Sequence, residues 1–169
     1  GSRRKCWSLV GAPRALYNAM QMPTGPTSRC EFDPRELTVR FEFTISARVE
    51  AITPVVDGIM RLVREMGCAA GKEFEVETAL REALANAILH GAKNDPSKQV
   101  QCTVACDETR GMLLVVRDPG QGFDPTSLPS PIQGQNIFSE HGRGLYLINQ
   151  LMDDVRYKRG GTEIHMVKR

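Results

Sequence analysis

The run Met112-Leu-Leu-Val-Val116 constrains the fold of this 169-residue chain more than any other stretch. Its apolar residues are unbroken, with Gly111 before them and Arg117-Asp118-Pro119-Gly120 after, so neither side offers a polar surface to water. A membrane-spanning helix needs ~20 such residues, so this run reads as a central strand covered by its neighbours. A second strand is visible upstream. Leu37, Val39, Phe41, Phe43 and Ile45 alternate with Thr38, Arg40, Glu42 and Thr44, the period-two pattern of a half-buried strand.

Helical spacing takes over after that strand. Ile52, Val55, Val56, Ile59, Met60, Val63 and Met66 form an apolar stripe on a helix running from about Arg48 or Thr53 to Gly67. Pro54 is compatible only with its first turn, where the missing N–H has no partner to lose. A second helix is predicted from about Glu73 to His90, buried through Val76, Leu80, Ala83, Leu84, Ala87 and Ile88 and stopped by Asn94-Asp95-Pro96-Ser97. Strands follow at Gln99–Asp107 and Met112–Asp118, then a short helix at Gly144–Met152 and closing strands at Val155–Lys158 and Thr162–Lys168. The connection over 119–140 is too long for a simple turn, and loops of that length often carry function. This order predicts an α/β (α+β) domain, a two-layer sandwich whose mixed, mainly antiparallel sheet is covered on one face by helices.

The domain is assigned to residues 35–169. Residues 1–34 read as a basic, partly flexible extension: the first thirty hold Arg3, Arg4, Lys5, Arg14 and Arg29 and no acid, and Pro23-Thr-Gly-Pro26 breaks a faint helical pattern. A whole-chain charge of +2 argues for neither a nucleic-acid binder nor an acidic-substrate enzyme, so direct nucleic-acid contact is not expected, and no apolar stretch is long enough for a membrane span. The five cysteines contain no Cys-x-x-Cys, which points to neither a disulfide framework nor a zinc site. Cys102 and Cys106 share a strand face with Val100 and Val104 and read as small buried hydrophobes, and a reducing cytoplasm fits this usage.

Three polar patches remain. In the first, Glu82, Asn86 and His90 recur every four residues and so form a ridge along the second helix. Alone, such a ridge is the wet side of an amphipathic helix, but asparagine is a mediocre helix former. One carboxamide oxygen suits Mg²⁺, which takes one or two protein ligands and leaves the rest to phosphates and water. Glu82, a turn away, can then serve as a base toward a hydroxyl. In the second patch, Asp118 ends the central strand before Gly120 and Gly122. Its carboxylate can accept a hydrogen bond from the exocyclic amine of adenine and would reject guanine, although an Asp-Pro-Gly turn alone explains the residues too. In the third, Gly142-Arg143-Gly144 opens a helix, where backbone N–H groups and the Arg143 charge favour phosphate, with His141 read as a loop residue.

Taken together, Glu82-Ala-Leu-Ala-Asn86-Ala-Ile-Leu-His90-Gly91, Asp118-Pro-Gly120-Gln-Gly122-Phe123-Asp124 and Gly142-Arg143-Gly144-Leu145 resemble the GHKL ATP-binding fold of gyrase, chaperone ATPases and histidine kinases. Within it they are most similar to the anti-sigma-factor serine/threonine kinases, over about residues 35–169. The resemblance implies Mg-ATP as ligand, Glu82 as general base and Asn86 as the Mg²⁺ ligand. It also implies Asp118 on adenine and Thr162 near it through water, with Gly120, Gly122, Gly142 and Gly144 shaping a pocket to which His90, Arg143 and Leu145 belong. The implied function is an ATP-dependent protein kinase that holds a sigma factor in one state and phosphorylates an antagonist (anti-anti-sigma) protein in another, often as a homodimer. A nucleotide-gated binding module without kinase activity is the alternative, as is the ATP-binding domain of a larger signalling kinase. The catalytic half of a histidine kinase fits less well, because no helical hairpin with an exposed acceptor histidine is present.

Overall fold

Among the described residues of a computed structural model, six strands form one sheet in the order β1-β2-β3-β4-β6-β5, and each of the pairings is antiparallel. The strands are β1 (Arg29–Asp33), β2 (Thr38–Ser46), β3 (Gln99–Asp107), β4 (Gly111–Arg117), β5 (Asp154–Lys158) and β6 (Glu163–Lys168). The helices are α1 (Ile52–Met66), α2 (Glu73–Asn86) and α3 (Glu140–Leu151). The structure describes residues 29–33, 38–107, 111–123 and 140–169, with the backbone path only for 29–33, 38 and 140–142. The expectations for the basic arm over 1–28, for most of the 119–140 connection and for the His141 side chain therefore lie outside the described residues.

The Met112–Val116 run sits where its composition demands. β4 lies between β3 and β6, with Leu114 opposite both Val104 and Met166. Its even-numbered residues Met112, Leu114 and Val116 join Val100, Cys102, Val104, Ile164 and Met166 in the buried face beneath the helices. Leu113 and Val115 point the other way and are half-buried. The predicted sandwich, a sheet covered by helices on one face, is thus the observed one.

Both predicted stripes are the faces that pack. Val76, Leu80, Ala83, Leu84, Ala87 and Ile88 of the second helix are all buried, as are Val55, Val56, Ile59, Met60 and Val63 of α1, while Ile52 and Met66 at the ends of its stripe are half-buried. Burying each large aliphatic side chain contributes roughly 1.5–3 kcal/mol, so this layer holds the helices on the sheet. The Arg81 guanidinium, which meets Glu77 at 3.0 Å and Asp57 at 3.3 Å, adds little because the groups are solvated. α1 stops at Gly67, whose left-handed conformation (φ 69°) turns its N–H back to the Val63 carbonyl at 3.0 Å.

Three features differ from the sequence reading. β1 is a strand that the weak pattern between Pro26 and Pro34 did not disclose; it joins by pairing Cys30 with Phe41 and Phe32 with Val39. α3 begins at Glu140 rather than Gly144, so His141, read as a loop residue, and Gly142-Arg143-Gly144 lie inside its first turns. Cys106 is not a buried hydrophobe: it is half-exposed and bonded to Cys68, with the Cα atoms 5.9 Å apart. A pairing across 38 positions leaves no trace in local periodicity. Cys102 is buried as expected.

Candidate functional site

The second helix does not end as a plain α-helix. Over Ala87–Gly91 it widens into a π-turn, in which Ala92 N–H donates to the Ala87 carbonyl at 2.8 Å and Asn94 N–H to that of Ile88 at 2.8 Å. Such wide turns are rare and concentrate at functional sites. Here the turn delivers His90 and Gly91 to a cavity of about 520 Å³ at the carboxyl end of β4.

That cavity gathers residues that are far apart in the sequence. Asn86, Ala87, His90 and Gly91 line it from the helix, Asp118 to Phe123 from the segment after β4, Leu145 from α3, and Tyr157, Gly161 and Thr162 from the last hairpin. Asp118 is fixed by backbone bonds on two sides. Its N–H donates to the Thr162 carbonyl at 2.9 Å, and its carboxylate accepts the Gly120 N–H at 2.7 Å. Its carboxyl group lies directly over Gly91, where a side chain would collide with it. Burial raises the Asp118 pKa above the usual aspartate value, and the Gly120 hydrogen bond only partly offsets this.

The glycine segment is clamped by the hairpin between β5 and β6. Phe123 N–H donates to the Gly160 carbonyl at 2.9 Å, and the Phe123 ring meets Tyr157 edge-on at 5.6 Å. Thr162 turns its hydroxyl to the Arg159 carbonyl at 3.0 Å while its own carbonyl holds Asp118. Thr162 therefore acts on the site through the backbone as well as by lining it.

The phosphate-side residues divide differently from the sequence expectation. Glu82 and Gly144 are not among the residues that line the cavity; they meet each other beside Asn86, with Glu82 half-exposed. A Cβ built on Gly144 would fall 2.7 Å from Glu82 Oε2 and 3.4 Å from Asn86 Nδ2. Gly144 thus lets α3 approach the helix that carries the polar ridge, a packing role that Gly-x-Gly spacing does not reveal. Arg143 is exposed and outside the cavity lining, because the early start of α3 carries it around to the helix's outer side. The surroundings of Gly142 are outside the described residues. Asn86 keeps its place at the wall, and its amide nitrogen is buried without a hydrogen-bond partner among the described residues.

Residues 45–168 match the histidine kinase-like ATPase domain. The chain belongs to that family. It is similar to proteins named serine-protein kinase RsbW. One from Bacillus cereus strain G9842 and one from Bacillus anthracis are each 29% identical over 123 residues, 69% of this chain and 76% of the relative. One from Bacillus mycoides strain KBAB4 is 28% identical over the same shares. Within this ATPase domain the sequence reading missed Lys93 and Lys98, two cations on the cavity rim, and the aromatic wall residue Tyr157. The lysines flank the Asn94-Asp95-Pro96 stop, where no local pattern marks them; only the return of the chain to β3 places them at the cavity.

Proposed function

We propose that this chain is an Mg-ATP-dependent protein serine/threonine kinase that acts as an anti-sigma factor, a partner-switching regulator of transcription. One observation carries the reading: the fold brings Asn86, Asp118 and the glycine segment, far apart in sequence, to a single cavity. The same reading makes a sigma factor and an antagonist protein its partners, a homodimer its assembly and the cytoplasm its compartment. The relatives named as serine-protein kinases support the hydroxyl-directed chemistry.

The residues present fit the ligand. Asp118, fixed by Thr162 and Gly120, is the acceptor for the adenine amine, and Gly91 and Gly120, having no side chain, let the backbone close tightly around its carboxylate. At the other end Asn86, on the cavity wall, is the group to hold Mg²⁺ through its carboxamide oxygen. When bound, that ion neutralises phosphate oxygens and orients the terminal phosphoryl group. Glu82, one helical turn before Asn86 and held against Gly144, takes the proton from the acceptor serine or threonine hydroxyl. Lys93 and Lys98 add positive charge at the rim.

Asp118→Asn tests the adenine assignment, with stability and binding moving in opposite directions. The folded pKa of Asp118 lies above the unfolded one. Its favourable contribution is therefore complete below the unfolded pKa and lost as pH rises through the folded pKa. Near neutral pH the ionised group is a cost to the ligand-free fold, which the amide removes. Thermal unfolding at pH 7 should show a midpoint higher by roughly 1–3 °C. Calorimetric titration should show ATP binding weaker by about 10–100-fold, the loss of a hydrogen bond to a charged acceptor. Undiminished ATP affinity would rule out Asp118 as the adenine contact.

Gly144→Ala separates fold from chemistry. Alanine gains about 0.5–1 kcal/mol of helix propensity, and the atom it displaces is the flexible end of Glu82. The melting midpoint should hold or rise while kcat falls at least tenfold and the KM for ATP changes little. A fall in stability with unchanged kcat would show that Gly144 serves packing alone.

A further inference from the structure

We propose that Cys68 and Cys106 are a reversible oxidation site, closed by exchange with a low-molecular-weight disulfide such as oxidised glutathione and opened by the corresponding thiol, reduced glutathione. Their Cα separation of 5.9 Å lies within the window for a disulfide. Both residues are half-exposed, so a small thiol reagent can reach them. Neither belongs to the buried hydrophobic cluster that holds the helices on the sheet, so opening the bond leaves the core intact.

The nearby third thiol marks the pair as selective. Cys102 lies four residues before Cys106 on the same strand face, but it is 1% exposed, and burial pushes its pKa up to about 12. Exchange needs a thiolate in contact with the reagent, and Cys102 meets neither condition.

What the bond controls is the turn between α1 and α2. Gly67 and Gly71 both have positive φ, 69° and 79°, with open space where a side chain would stand. The turn is tied to the end of the sheet by Cys68 on Cys106 and by the Lys72 ammonium on the Arg169 carbonyl. Reduction removes the covalent tie and leaves the Lys72 contact, freeing the amino end of the helix that carries Glu82 and Asn86.

The exchange balances. One thiolate of the pair attacks a sulfur of oxidised glutathione and expels a glutathione thiolate, giving a mixed disulfide. The second thiolate attacks the protein sulfur of that mixed disulfide and expels the other glutathione. Two protein thiols lose two electrons, oxidised glutathione gains them, and the two protons pass to the departing thiolates.

The test incubates the whole chain with oxidised or with reduced glutathione, followed by alkylation, peptide mass mapping and hydrogen exchange. The expected result is a Cys68–Cys106 link in the oxidised sample only, with Cys102 alkylated only after denaturation. Residues 67–72 should exchange at least about fivefold more slowly when oxidised, and the melting midpoint should rise by roughly 10 °C for a loop of this length. Reduced glutathione should reverse all three. Cys68→Ser, in the turn and outside the core, should fold and show fast exchange in both buffers. A link through Cys102, glutathione adducts that never close, or equal exchange in both states would overturn the proposal.

Discussion

Glu82→Ala is expected to slow phosphoryl transfer by roughly 10²–10⁴-fold, the usual contribution of a positioned base. ATP affinity should stay within about threefold of wild type. The separation follows from where the side chain lies: Glu82 is outside the cavity lining and packs against Gly144, so its removal takes away no ATP-facing contact among the described residues. Single-turnover transfer and equilibrium titration on the same preparation measure the two quantities. A parallel loss of ATP binding would mean that Glu82 holds up the site's architecture and is not its base.

Gly122→Ala should produce the largest structural effect. Gly122 has φ 78°, and a Cβ there would collide with the Gly160 carbonyl, the same oxygen that accepts the Phe123 N–H at 2.9 Å. Both sides of that contact are backbone, so neither can yield as a flexible side chain can. The clamp between the glycine segment and the last hairpin must open, at a cost of about 2–4 kcal/mol, which lowers the melting midpoint by roughly 5–12 °C. ATP affinity should fall at least 30-fold, because Asp118, Gly120 and Phe123 form one wall of the cavity. Gly160→Ala is the control. Its φ of 63° carries a penalty of about 1–2 kcal/mol, but no atom lies where the Cβ would go. Equal losses at the two positions would assign the effect to backbone conformation and not to the clamp.

The parts of this fold legible in the sequence are those set by local periodicity. The stripe from Val76 to Ile88 named the buried face of a helix, and the apolar Met112–Val116 run named the central strand. Asp118, Gly120 and Gly122 do line one cavity, but the sequence singled them out only in company with the other two patches, since an Asp-Pro-Gly turn alone explains them too. What stayed hidden depends on long-range approach. Gly144 looked like a phosphate-facing turn, yet its position against Glu82 follows from how α3 crosses the second helix. Lys93 and Lys98 reach the cavity only through the path of the chain back to β3, and Cys68 reaches Cys106 only through the placement of the α1–α2 turn. The π-turn at Ala87–Gly91 is equally silent in sequence, since an added residue in a helical turn shifts its register without changing its composition.

The most direct test of the central claim is transfer of the γ-phosphate of labelled ATP, with Mg²⁺, to protein in an extract of the source cell known to contain the partner, with Glu82→Ala as the blank. The account predicts an acid-stable phosphoserine or phosphothreonine on a second protein, formed by wild type and absent from the blank. Confirmed ATP binding with no phosphoprotein, while partner affinity still differs between ATP and ADP, would contradict it and identify a nucleotide-gated binding module instead. An acid-labile, alkali-stable phosphate on this chain itself would contradict it in favour of a histidine kinase.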